Sequence, residues 1–264
     1  MKHAREGGPV RYRARVEYDG TEFAGFQAQP GRRTVQGELE RVLAHLSGEP
    51  RIRIDAAGRT DAGVHATGQV IAFTWHGRMT ARQLGPAIGA LLPRDVAIGP
   101  LARVALDFDP RRAATRREYR YSIWTGPRKP LRARYVYELD ERLDVGAMHA
   151  AAQHLVGRHD FSPFGRVQHT AVRTLYEVRV RRQGHLVTID VAGDAFLRQM
   201  VRSIVAALVR IGMGRATAED LLSELRSPGR AFAGAVVPAQ GLCLRRVVIG
   251  PSRQANEKEA RQGP

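Results

Sequence analysis

The chain has 264 residues, 43% hydrophobic and 26% charged, enough to bury a sizeable core in one large domain or two modest ones. Its 42 Lys and Arg against 26 Asp and Glu leave a formal net charge of +16, which points to a polyanionic partner, nucleic acid first. The single cysteine, Cys243, excludes an internal disulfide and any CxxC metal pair, and the most apolar run, 204–213, is interrupted by Arg210 and too short to span a bilayer.

In chain order, residues 1–9 are polar and aperiodic and read as a flexible tail. Residues 10–18 alternate like a strand, and Asp19-Gly20 supplies turn chemistry. Val35, Leu39, Val42, Leu43 and Leu46 then share one helical face, with Thr34 as N-cap and Gly48 as stop. Strands are predicted at 51–57 and 68–76, and a second helix over 80–92, where Thr80 and Gln83 have capping-box spacing. From Arg111 the chain turns strongly basic with interleaved aromatics. A strand at 118–124, a helix at 144–156 and strands at 171–182 and 185–193 follow, the last two joined by a Gln183-Gly184 hairpin signal. Helices at 197–212 and after Thr217 and a strand at 241–249 complete the fold, before a polar tail at 252–264. The hairpin argues for an antiparallel α+β architecture over a doubly wound one. The repeated strand–turn–helix order suggests two similar halves, 10–110 and 111–251.

The stretch with the most chemistry is Gly58-Arg59-Thr60-Asp61-Ala62-Gly63-Val64-His65. Glycines permit backbone conformations closed to other residues and let a ligand approach. Asp61 in such a loop is a turn-former or a reactive acid. Beside the Arg59 guanidinium a carboxylate stays ionised at neutral pH, as a nucleophile or general base requires. Asp61 and His65 as metal ligands are weaker, because no third ligand has diagnostic spacing, and His159-Asp160 is an isolated dipeptide. No phosphate-binding P-loop or dinucleotide fingerprint occurs, so no nucleotide cofactor is expected.

The stretch GRTDAGVHATGQV resembles the active-site loop of the TruA family of tRNA pseudouridine synthases. So do EYDGTEFAGFQAQP with TVQGELE, LPRDVAI, FDPRRAATRREYRYSI, FSPFGR, DAFLRQMVRSIVAALVRIGMG and AQGLCLRRV, over roughly residues 10 to 250. The resemblance implies an α+β pseudouridine synthase fold, two similar halves each with an antiparallel sheet backed by helices, and a basic cleft between them. It implies a cytoplasmic homodimer that acts on tRNA at positions 38 to 40 of the anticodon stem-loop, without cofactor or metal. It makes Asp61 the catalytic carboxylate, Tyr119 a contact to the target uridine, Arg59 a residue holding the flipped nucleotide, Arg202 the partner of the carboxylate and Leu244 part of the pocket wall. The family more often has an aromatic residue where Cys243 stands, which bears on packing there.

The residues themselves leave alternatives open. Asp61 is free to add to C6 of uracil or to assist glycosidic cleavage at the sugar. Tyr119 serves as a stacking platform, as a proton-transfer hydroxyl, or as a strand aromatic packed on a cross-strand neighbour. A paired base must be flipped out at a cost of roughly a few kcal/mol. Phosphate contacts from the basic block at 111–134, with Arg111, Arg112, Arg116 and Arg117 foremost, offset that cost. In an alternating strand only some of these point the same way. A non-catalytic RNA-binding protein or a metal-dependent nuclease using Asp61 and His65 are the competing classes.

Overall fold

The computed structural model describes residues 8–167, 170–226 and 234–250. The tails expected at 1–9 and 252–264 lie outside them, except for the exposed Gly8 and Pro9. The chain divides into two compact units. The first holds the chain to Ala62, Ala66–Thr115 and the chain from Val247; the second holds Gly63–His65 and Arg116–Arg246.

In the first unit β1 (Val10–Tyr18) precedes α1 (Val35–Ser47), β2 (Ile54–Ala56), β3 (His65–Trp75), α2 (Ala81–Leu91), β4 (Val96–Ile98), β5 (Ala102–Val104) and the single turn α3 (Pro110–Ala113). β1 is central, antiparallel to β3 on one side and to the short β4 and β5 on the other, and β2 extends β3. α1 begins where expected: the Thr34 hydroxyl accepts from Gly37 N at 3.2 Å, satisfying an orphan donor of the first turn. It ends at Gly48 in the left-handed region (φ 69), whose N–H bonds the Ala44 carbonyl. The predicted capping box at Thr80 and Gln83 is present. Its helix carries Pro86 and still packs Leu84 and Ile88 into the core at 0% exposure. Arg11 is buried and serves the fold, bonding Asp55 at 2.6 Å, Thr74 at 3.1 Å and the Phe108 carbonyl at 2.8 Å.

The second unit comprises β6 (Ala114–Trp124), β7 (Tyr137–Glu138), α4 (Val145–Gln153), β8 (Gly157–Asp160), β9 (Val172–Gln183), β10 (Leu186–Gly193), α5 (Met200–Gly212), α6 (Ala218–Arg226) and β11 (Leu242–Ile249). The antiparallel order is β6-β10-β9-β8, with β11 beside the other edge of β6 and β7 pairing it in parallel. The hairpin joining β9 and β10 turns at Gly184 (φ 57). Register places Tyr119, Tyr121 and Ile123 opposite Val191, Ile189 and Val187, and these six are buried on one face. The opposite face carries Arg116, Glu118 and Arg120 with Asp190, Glu177 and Arg181 around an open groove of about 400 Å³.

Two differences from the sequence reading have physical causes, and α5 is itself enclosed: every residue except Arg202 and Arg210 is buried, the mark of a helix surrounded by protein. It starts at Met200 because Gln199 takes a left-handed conformation (φ 66), so Phe196 precedes the helix. The short strands β4, β5 and β8 were not predicted, since three or four residues at a sheet margin carry too little periodicity to register.

Candidate active site

The GRTD loop is held by its backbone. In the first unit Ala57 N donates to the Val70 carbonyl at 2.9 Å, and Gln69, at 0% exposure, donates its amide to the Gly58 carbonyl at 2.8 Å. Thr60 is clamped twice: its hydroxyl pairs with the Tyr18 hydroxyl at 2.8 Å, and its carbonyl accepts from Phe26 N at 3.1 Å. Gly25 sits against this point with φ +101, and a Cβ there would lie 2.9 Å from the Thr60 carbonyl oxygen and 3.3 Å from Ala62 N. Only glycine lets the 24–26 turn back the loop so closely. Asp61 follows this clamp, half-buried, while Arg59 is exposed.

Gly63, Val64 and His65 belong to the second unit. Gly63 takes φ +77, with an added Cβ 3.2 Å from Ala239 Cβ, and Val64 is buried. The His65 imidazole is 6% exposed, donates from Nε2 to the Arg134 carbonyl at 2.9 Å and lies 5.1 Å from the Tyr135 ring. His65 thus anchors the motif's end. Among the described residues no group of three or more His, Cys, Asp or Glu is placed to hold a metal ion.

In the second unit Tyr119 is 8% exposed and meets the Phe196 ring edge-on at 5.1 Å, so its packing partner comes from the turn before α5. Arg202, half-buried on α5, donates from Nε to the Val237 carbonyl at 2.8 Å. Tyr121 donates to the Pro238 carbonyl at 2.7 Å, and Gly241 lies against its ring. Burial pushes the Tyr121 phenol far above its ordinary pKa; the positive Arg202 opposes this and Tyr137 adds to it. Leu244 is fully buried. Cys243, the next residue in an alternating strand, is half-buried and coupled in charge to Arg120, on the other face from Leu244.

The four arginines expected on RNA phosphates are not equivalent. Arg111 and Arg112 are exposed on α3, whose start is capped by Asp109. Arg116 faces the groove and is ion-paired to Glu118 at 2.7 Å and Glu177 at 3.5 Å. Arg117 is 7% exposed and bonds the Asp194 carbonyl. It shares parity with Tyr119 and Tyr121 on the buried face. Arg120 likewise grips Asp190 through two bonds, at 2.7 and 3.1 Å, and this hydrogen bonding holds its pKa above the ordinary value. Sequence reasoning missed Gly25, Gln69 and Thr60, which position the loop, and Phe196, which positions Tyr119. A signal existed for the first: a glycine between Ala24 and Phe26, in a stretch otherwise resembling strand and turn.

The α+β fold presents Asp61 between two glycines in a chain of net charge +16, an arrangement suited to chemistry on a polyanion. The family model described as tRNA pseudouridine synthase matches residues 14–111 and 151–248, one stretch in each half, as two similar halves require. The chain is 45% identical over 252 residues to "tRNA pseudouridine synthase A" of Solidesulfovibrio magneticus, covering 91% of this chain and 92% of the relative. It is 41% identical over 251 residues to the protein of the same name from Shouchella clausii, covering 94% and 96%. A solved structure described as "Crystal structure of the archaeal box H/ACA sRNP Nop10-Cbf5 complex" aligns with a TM-score of 0.32 at 11% identity, over 86% of this chain and 58% of that one, too slight a likeness to bear on fold or function. The chain belongs to the tRNA pseudouridine synthase family.

Proposed function

We propose that this chain isomerises uridine to pseudouridine at positions 38, 39 and 40 in the anticodon stem-loop of tRNA, with Asp61 as the catalytic carboxylate on a flipped-out uridine. The observation that carries this reading is Asp61 itself, half-buried directly after a residue whose hydroxyl and carbonyl are both clamped, in a chain matched to the family in both halves. Pre-set backbone geometry is what a reacting group needs.

The reaction breaks the C1′–N1 bond, turns the base and joins C5 to C1′. The C5 proton leaves and N1 regains one, so atoms balance within the substrate and no electrons are exchanged. Asp61 acts either at C6 of the base or at the sugar carbon. Tyr119, its ring plane fixed by Phe196, contacts the base; Arg59, exposed on the loop, holds the displaced nucleotide; Arg202 supports the carboxylate; Leu244 lines the pocket. Arg111, Arg112 and Arg116 contribute to phosphate binding. Several neighbouring positions are served by reading shape more than base edges. The protein works as a homodimer in the cytoplasm; among the described residues no helix is long and apolar enough to cross a membrane.

The test is incubation of unmodified tRNA transcripts with wild type and with Asp61→Asn, followed by single-nucleotide mapping of pseudouridine. Wild type is expected to modify 38–40, and Asp61→Asn to lose more than about 10³-fold in rate. Signal only at other positions overturns the substrate assignment. Equal activity of Asp61→Asn overturns the catalytic one.

A further inference from the structure

The segment 126–136, between β6 and β7, reads Gly-Pro-Arg-Lys-Pro-Leu-Arg-Ala-Arg-Tyr-Val, with four cations and no acid. It is an ordered turn. Arg132 N donates to the Lys129 carbonyl at 2.8 Å and Tyr135 N to the Arg132 carbonyl at 2.8 Å. Its root is fixed on every side. The Trp124 indole donates to the Pro127 carbonyl at 2.8 Å, and the Arg132 guanidinium stacks 4.9 Å over the same indole. Val136 is buried, and His65 holds the Arg134 carbonyl and packs on Tyr135. Two prolines restrict the backbone further.

At the tip stands Leu131, 96% exposed. A lone exposed leucine needs no explanation by itself. Here it is carried by a hydrogen-bonded turn in which Arg128, Lys129, Arg132 and Arg134 are all exposed, Arg132 with its guanidinium over Trp124. Cations about an apolar tip match a strand of nucleic acid, whose phosphates meet the charges and whose unstacked base meets the side chain. A second copy seated tip to tip fits poorly, because it would set these four cations against their own counterparts.

We propose that 126–136 is an RNA-binding strap in which Leu131 lies against an unstacked base of the substrate, while the surrounding cations hold the adjoining phosphates. The proposal rests on the tRNA-modification reading. It also gives the motif's histidine a role, since His65 pins the strap's root to the end of the Asp61 loop.

The experiment measures tRNA affinity against salt concentration for wild type, Leu131→Ala, Leu131→Phe, and the single Gln variants of Arg128, Lys129 and Arg132. Leu131 lies in water, so its replacement leaves the melting temperature unchanged. Leu131→Ala is expected to raise Kd about three- to tenfold with an unchanged salt slope, and Leu131→Phe to restore affinity. Each charge variant is expected to lower the slope by about one. Wild-type affinity in Leu131→Ala and in all charge variants at every salt concentration overturns the strap. So does a Leu131→Ala protein whose oligomeric mass changes while its RNA affinity does not, since that assigns the tip to a second copy. Pseudouridine mapping on the same transcripts reports the enzymatic reading separately: if wild type binds tRNA but modifies none, that reading fails and the affinities still decide the strap.

Discussion

The loop at 57–65 and the strap at 126–136 are built from similar residues, glycine or proline beside arginine, and are fixed in opposite ways. In the loop the residues before Asp61 are gripped by buried partners: Gln69 on the Gly58 carbonyl, Tyr18 and Phe26 on Thr60, Gly25 behind them. In the strap the roots are gripped and the tip is left in water. A reacting group must be placed to a fraction of an ångström, whereas a surface that meets RNA needs charge and reach. The difference teaches that arginine beside a glycine or proline does not reveal which kind of loop is present. The buried partners do.

The sharpest way to break the comparison is to loosen the loop alone. Gly25→Ala places a Cβ 2.9 Å from the Thr60 carbonyl at φ +101. It is expected to cost about 1–3 kcal/mol of stability and to lower kcat with little change in tRNA affinity, checked by denaturant titration and single-turnover kinetics. Thr60→Val removes the buried 2.8 Å hydroxyl pair with Tyr18 and is expected to cost about 1–3 kcal/mol; an added Tyr18→Phe should recover part of that loss.

Tyr121→Phe tests the wall on which Gly63 rests, because Tyr121 holds the Pro238 carbonyl at 2.7 Å. The expected cost is about 1 kcal/mol. Its pH dependence has a definite sign. The folded phenol titrates above the unfolded value of about 10. Its contribution is therefore fully present below pH 10 and lost as pH rises beyond it. The stability of wild type should fall more steeply than that of Tyr121→Phe in alkaline solution, which melting curves at graded pH would show. The smallest effect belongs to the strap: Arg132→Gln removes one exposed cation–π contact, worth about 0.5–1 kcal/mol, and should move the melting temperature by only a few degrees while weakening RNA binding.

Much of the fold was legible because local chemistry announced it. Thr34, Gly48, the Thr80–Gln83 box and the Gln183-Gly184 hairpin are signals confined to a few adjacent residues. The short marginal strands and the enclosure of α5 were not, since both depend on what packs alongside. The loop stood out as a motif, and Asp61 with it. Its support did not, because Tyr18, Gly25 and Gln69 lie far from it or across a turn in sequence. The burial of Arg117 was legible in the sequence: in Arg116-Arg117-Glu118-Tyr119-Arg120-Tyr121, alternation puts Arg117 with the tyrosines.

Enclosure of α5 also governs the order in which the protein breathes. Backbone amides exchange with solvent only when their segment opens, and a helix with eleven of its thirteen residues buried opens late. In deuterium its amides should be among the last to exchange, with those of β10, while the amides of α3 exchange early. Arg202 is therefore mounted on one of the most persistent parts of the molecule, and its charge stays in place through fluctuations that open the chain elsewhere.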